Sequence, residues 1–115
     1  MLLILSPGRR VELVRAFKKE LNKTNNKVFA ADMSKLAPAL YEADKYFTIK
    51  KDFDNLKQYL IDVIEICLNN EISFVLTLID PELKLLIENE KLFTKNKITL
   101  IMPNKKFIEN TFDKF

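Results

Sequence analysis

Three short stretches of this 115-residue chain carry residue types that could do chemistry. The first is Ser6-Pro7-Gly8-Arg9-Arg10. Gly8 is the only glycine, and Arg9 and Arg10 are two of three arginines, with Arg15 just beyond. A glycine permits a tight turn or a close backbone approach. The N–H groups opening a helix after it would suit an anion. Arginine offers planar, bidentate recognition of carboxylate or phosphate, which lysine does not. Placing arginines at a helix start opposes the helix dipole, at a few tenths of a kcal/mol each on the order-of-magnitude scale. The second stretch ends in Asp32, 24 residues after Gly8, a little beyond the usual spacing to a ribose-binding acid. The third is Asp80-Pro81-Glu82. Each has a plainer reading. Arg9 and Arg10 could be solvated while Gly8 only turns the chain, and Asp32 could be a polar strand end. Asp80 reads first as a helix N-cap with Pro81 at the first helical position, a role that would still let it face a ligand.

What is missing narrows the chemistry. Histidine is absent, which removes the commonest general base and metal ligand. The single cysteine, Cys67, permits no internal disulfide, argues against zinc and suits a reducing cytoplasm; on an apolar helical face it reads as inert core. The net charge of +3 is concentrated early, since residues 1–23 hold six Lys/Arg and two Asp/Glu. Elsewhere the signs alternate, which fits solvated helix faces, and neither a nucleic-acid partner nor a membrane is expected. The phenylalanines fall mostly at core spacing.

Those residues need elements to hold them. Residues 2–5 form a continuous apolar run, as in a strand buried on both faces. Val11, Val14, Phe17 and Leu21 then recur at helical spacing to about residue 23. Residues 27–31 read as a second strand, 34–43 as one short helix with Pro38 near its start, and 46–49 as a third strand. Asp52 is a plausible cap for a helix whose inner face is Leu56, Tyr59, Leu60, Val63, Ile64 and Cys67. Residues 72–79 are a fourth strand. Leu83, Leu86, Ile87 and Phe93 are expected to face inward on the next helix, and 98–102 to form a fifth strand. Residues 104–115 read as a last helix, with Phe107, Ile108 and Phe112 apolar. The alternation predicts an α/β fold: a doubly wound three-layer sandwich around a five-stranded parallel sheet in order 3-2-1-4-5. In that order the winding reverses between the first and fourth strands, where ligands bind. Ser6, Gly8, Arg9, Arg10, Asp32, Asp80 and Glu82 should then face one crevice and bind an anionic small molecule.

The stretches SPGRRVELVRAF, AADMSKLAPALYEADKYFTI, LTLIDPEL and the closing NTFDKF resemble the N-terminal segment of carbamoyl-phosphate-synthase-like ATP-grasp proteins. The resemblance spans essentially the whole chain and implies a Rossmann-like pre-ATP-grasp domain, residues 1–115. The following ATP-grasp domain of the same polypeptide would be its partner, with Asp113-Lys114 leading into it. It would hold the ATP and magnesium that the full-length protein needs. The reaction implied is activation of a carboxylate as an acyl phosphate, attacked by a nucleophile such as an amine. This segment would line the carboxylate or amino-acid substrate side, with the seven residues above at the family's crevice-facing positions and no catalytic or metal-ligating residue among them. Pro7 stands where the family's turn has a small residue. The fragment is expected to be inactive alone, and its cut end to expose Phe107, Ile108, Phe112 and Phe115, with self-association into a homo-oligomer or fraying of the last helix as the consequence. The competing reading is a free-standing nucleotide- or anion-binding module with a regulatory role.

Overall fold

A computed structural model describes residues 1–77 and 79–101. The predicted last helix, with Phe107, Ile108, Phe112 and Phe115, lies outside the described residues. Five strands are present: β1 (Leu2–Leu5), β2 (Val28–Asp32), β3 (Lys45–Thr48), β4 (Phe74–Thr77) and β5 (Thr99–Ile101). They form one sheet in the order β3-β2-β1-β4-β5. All four pairings are parallel, with Leu3 opposite Phe29 on one side and Val75 on the other. The expected fold class and strand order are therefore both present.

β1 is central because its residues can be buried on both faces, and all four are. Leu3 and Leu5 point to one face, where they join Tyr59, Val63 and Cys67 of α2 (Leu56–Asn69), Leu86 of α3 (Asp80–Glu88) and Phe93 of α4 (Glu90–Lys95). Leu2 and Ile4 point to the other. There they meet Val14 of α1 (Val11–Asn22) and Ala39 of a 3-10 turn (Pro38–Glu42). The alternation of side chains along a strand thus supplies both outer layers from one apolar run.

Several boundaries differ from the sequence expectation. The segment over 34–43 is a 3-10 turn of five residues, with Pro38 opening it. α2 is capped by Asn55, whose side-chain oxygen accepts from the Gln58 N–H at 3.3 Å. Asp52 instead accepts from the Asp54 N–H, closing a turn one step earlier. α3 starts after Ile79, with no side-chain cap, and Asp80 is its first residue rather than its N-cap. As an exposed acid in a first turn, Asp80 still complements the helix dipole. The helix expected after it is interrupted at Asn89; Leu86 and Phe93 are buried, and Ile87, expected to face inward, is 48% exposed.

Cys67, on the inner face of α2, is buried in the core. Burial pushes its thiol up to about 12 from an ordinary 9.0. Burial, and then the charge of nearby Glu82, also raise the Tyr59 phenol well above its ordinary 10.0. In the folded chain both groups keep protons that the unfolded chain releases. Stability should therefore fall as pH rises above about 9–10. Denaturation midpoints measured from pH 7 to 11 should decline over that range. Iodoacetamide at pH 8 should leave Cys67 unmodified until the chain is unfolded; rapid labelling of the native protein would contradict this burial.

Candidate functional site

The carboxyl ends of β1, β2 and β4 lie side by side, and the turns leaving them form the site. After β1 the backbone takes a left-handed conformation twice, at Ser6 (φ 51°) and Gly8 (φ 55°), on either side of Pro7. For Ser6 that conformation costs about 1–2 kcal/mol. It is held by the Ser6 N–H donating to the Ala31 carbonyl at 2.7 Å and by the Ser6 hydroxyl donating to Glu82 at 3.0 Å. A Cβ at Gly8 would meet no atom within 4 Å, so only the backbone angle demands glycine. Open space lies beside this turn.

Asp32 braces the turn. Its carboxylate accepts from the Gly8 N–H at 3.0 Å and from the Ser34 N–H at 3.3 Å. The spacing of 24 residues noted in the sequence thus corresponds to a direct contact between two neighbouring strand ends. The Arg10 N–H donates to the Pro7 carbonyl and the Val11 N–H to that of Arg9. Arg10 is the N-cap of α1 and provides no side-chain cap. The N–H groups of Arg9, Glu12 and Leu13 meet no acceptor among the described residues. Arg9 and Arg10 are both exposed. The third arginine does not join them: Arg15 grips the Glu42 carboxylate through two hydrogen bonds of 2.8 and 3.0 Å, fastening α1 to the 3-10 turn. That hydrogen bond raises the Arg15 pKa and lowers that of Glu42.

Glu82 is 3% exposed and sits beneath the β1–α1 turn, bonded to Ser6. Its Oε2 accepts from the Ser6 hydroxyl at 3.0 Å and the Tyr59 hydroxyl at 3.1 Å, and pairs with the Lys51 ammonium. Its Oε1 accepts from the Thr77 hydroxyl at 2.8 Å. Five chain segments therefore converge on one carboxylate: the β1–α1 turn, the loop after β3, α2, the end of β4 and α3. A charge buried this deeply persists because it is paired and hydrogen-bonded. No buried side-chain nitrogen or oxygen among the described residues lacks a partner.

A cavity of about 240 Å³ opens beside this knot, between the end of β1 and the start of α1. Ser6, Pro7, Arg10, Leu13 and Ile79 line it, so it is mostly apolar with one cation at its rim. The structure thus joins Ser6 to Glu82 and Gly8 to Asp32 by direct bonds and puts Arg10 at the cavity. Asp80, next to Ile79, is exposed and makes no side-chain bond to the others.

Lys51, Tyr59 and Thr77 belong to the site but were not singled out from the sequence. Thr77 carried a signal, as a hydroxyl near the end of an apolar strand. Lys51 lay in a polar loop and Tyr59 on an apolar helix face, where neither differs from a solvated charge or a core ring.

A parallel sheet in this order, with polar residues gathered where its winding reverses, defines a Rossmann-like α/β domain whose crevice lies between β1 and β4. Residues 2–101 match the family model for the PylC-like N-terminal domain, and the chain belongs to that family. This domain is the pre-ATP-grasp domain of ATP-grasp ligases of the carboxylate–amine ligase family. None of the curated proteins compared with the chain matches it.

Proposed function

We propose that the chain is the substrate-side domain of an ATP-dependent carboxylate–amine, or carbamoyl-phosphate-synthase-like, ligase and that it does no chemistry alone. Its partner is the ATP-grasp domain of the same polypeptide, which holds ATP and magnesium. Among the described residues no group of three or more Asp, Glu, His or Cys side chains is arranged to hold a cation. The observation that carries this reading is the uncapped start of α1, with Arg9 and Arg10 exposed at the switch point of the sheet. Free N–H groups and a guanidinium there would bind the carboxylate of a small acid or amino acid.

Half a cleft binds weakly, about millimolar or some −4 kcal/mol. Titrating the ¹⁵N-labelled chain with amino acids, inorganic phosphate and ATP should move the amide signals of Ser6, Gly8, Arg9, Arg10, Asp32, Asp80 and Glu82. The double substitution Arg9→Ala with Arg10→Ala should abolish those shifts. Shifts clustered at the opposite end of the sheet, around Met1 and Ser73, would overturn the assignment, as would binding indifferent to both arginines.

A further inference from the structure

The cavity beside the β1–α1 turn is large for a native fold. Its 240 Å³ is room for about eight waters, at roughly 30 Å³ each. Native packing leaves few voids larger than a single water. Water finds little to hold here. Leu5, Pro7, Leu13 and Ile79 give apolar walls, and only Ser6 and Arg10 bring polar side chains. The one donor of the Ser6 hydroxyl is already spent on Glu82. An apolar cavity of about 150 Å³ stays dry and takes up benzene, so this one has room for an aliphatic body of at least that size.

The cavity is reached from solvent between two exposed residues, Arg10 at the start of α1 and Ile79 between β4 and α3. Ile79 is 40% exposed, yet its backbone is held on both sides. Its N–H donates to the Thr77 hydroxyl at 3.3 Å, and its carbonyl accepts from the Leu83 N–H at 2.8 Å. A large apolar side chain is thus fixed at the mouth with much of its surface uncovered. Leu13, in the first turn of α1, lines the cavity from within and is 4% exposed. The Arg10 side chain makes no bond among the described residues. No acidic side chain lines the cavity, so nothing in its wall calls for a cation.

We infer that the crevice selects a small carboxylate with an aliphatic body, the class that includes the apolar amino acids. The body fills the cavity against Pro7, Leu13 and Ile79, while the carboxylate stays at the rim on Arg10 and the free N–H groups of α1. Leu13 and Ile79 then set specificity by shape, and Arg10 sets it by charge. This rests on the proposed function, which supplies the anionic end, and it names the part of the ligand that reading leaves open.

A chain-length series tests it. Sodium acetate, butanoate, hexanoate, octanoate and dodecanoate are titrated into the full 115-residue chain and followed by NMR at the Arg10 amide and at the Leu13 and Ile79 methyl groups. Each methylene taken from water strengthens binding about fourfold, so butanoate should bind about 16-fold tighter than acetate and hexanoate tighter still. The gain should end once the cavity is full, with dodecanoate no tighter than octanoate. The Leu13 and Ile79 methyl signals should move with hexanoate and stay still with acetate. Hexylammonium chloride, the same body on a cation, should bind at least tenfold more weakly than hexanoate. Ile79→Ala should narrow the hexanoate-to-acetate ratio at least threefold; the wild-type series stands without any substitution. Equal midpoints across the series, with shifts at Ser6, Gly8 and Arg10, would overturn this inference alone. A gain continuing unbroken to dodecanoate, or hexylammonium binding as tightly as hexanoate, would mean non-specific apolar contact and would overturn it too. No carboxylate shifting any crevice signal would overturn the proposed function, and this inference with it.

Discussion

Replacing Glu82 by leucine should lower the unfolding free energy by about 3–5 kcal/mol, the range for breaking a buried ion pair from one side. Leucine fills much of the same space, so the loss would come from the partners left behind. Lys51, only 11% exposed, would lose its counter-charge. The Tyr59 and Thr77 hydroxyls, both on buried residues, would lose their acceptor. Ser6 would lose one of the two bonds that hold its left-handed backbone. An unsatisfied buried hydroxyl alone costs about 1–3 kcal/mol. A native domain has roughly 5–15 kcal/mol in total, so this single change should approach the limit of folding. Glu82→Gln keeps one acceptor oxygen and the side-chain shape and should cost clearly less. Urea denaturation of the three proteins measures both differences. A leucine variant within about 1 kcal/mol of wild type would mean that the network holds nothing together.

Phe93→Ala should be comparably damaging, at about 3–5 kcal/mol, the range for emptying a buried aromatic site. Phe93 is wholly buried, in the core cluster that includes Leu86, Ile98 and Leu100. It belongs to α4, a helix of six residues, which is too short to persist without tertiary support. Its carbonyl accepts from the N–H groups of Asn96 and Ile98, so the same residue anchors the turn that delivers β5 to the sheet. Among the described residues β5 pairs only with β4. The substitution should therefore lower hydrogen-exchange protection most in α4 and β5. Ile87→Ala supplies the contrast: regular spacing would bury Ile87, but it is half exposed, so its loss should be within about 0.5 kcal/mol. Equal costs at the two positions would contradict the burial of Phe93 and the exposure of Ile87.

The strand order was legible because it follows from local patterns and a handedness rule. Four-residue apolar runs such as residues 2–5 are too short for helices. Their alternation with amphipathic segments leaves parallel crossovers as the way to bury both faces. The winding reversal then places Ser6–Arg10, Asp32 and Glu82 at one end of the sheet before any coordinate is known. Gly8 could be read as a required turn, since the one glycine in 115 residues stands where an apolar run gives way to helical spacing.

What each of those residues does was decided by tertiary contact. Asp32 and Glu82 look alike in sequence, as acids near strand ends. Asp32 braces a backbone turn, whereas Glu82 is sealed beneath four donors, three of them from distant segments. Lys51 and Tyr59 gave no warning, because a lysine in a polar loop and a tyrosine on an apolar helix face are the commonest placements of their kinds. Their meeting depends on a contact across 31 residues in one case and 23 in the other. Arg15 shows the same limit in reverse: it is four residues from the start of α1 and shares the composition of Arg9 and Arg10, yet the 3-10 turn presents Glu42 to it and removes it from the crevice. Period and composition fix which face of an element is apolar, and so the layers and the order of the sheet. Which polar groups find one another is set by the relative placement of loops, a property of the packed whole that no local segment encodes.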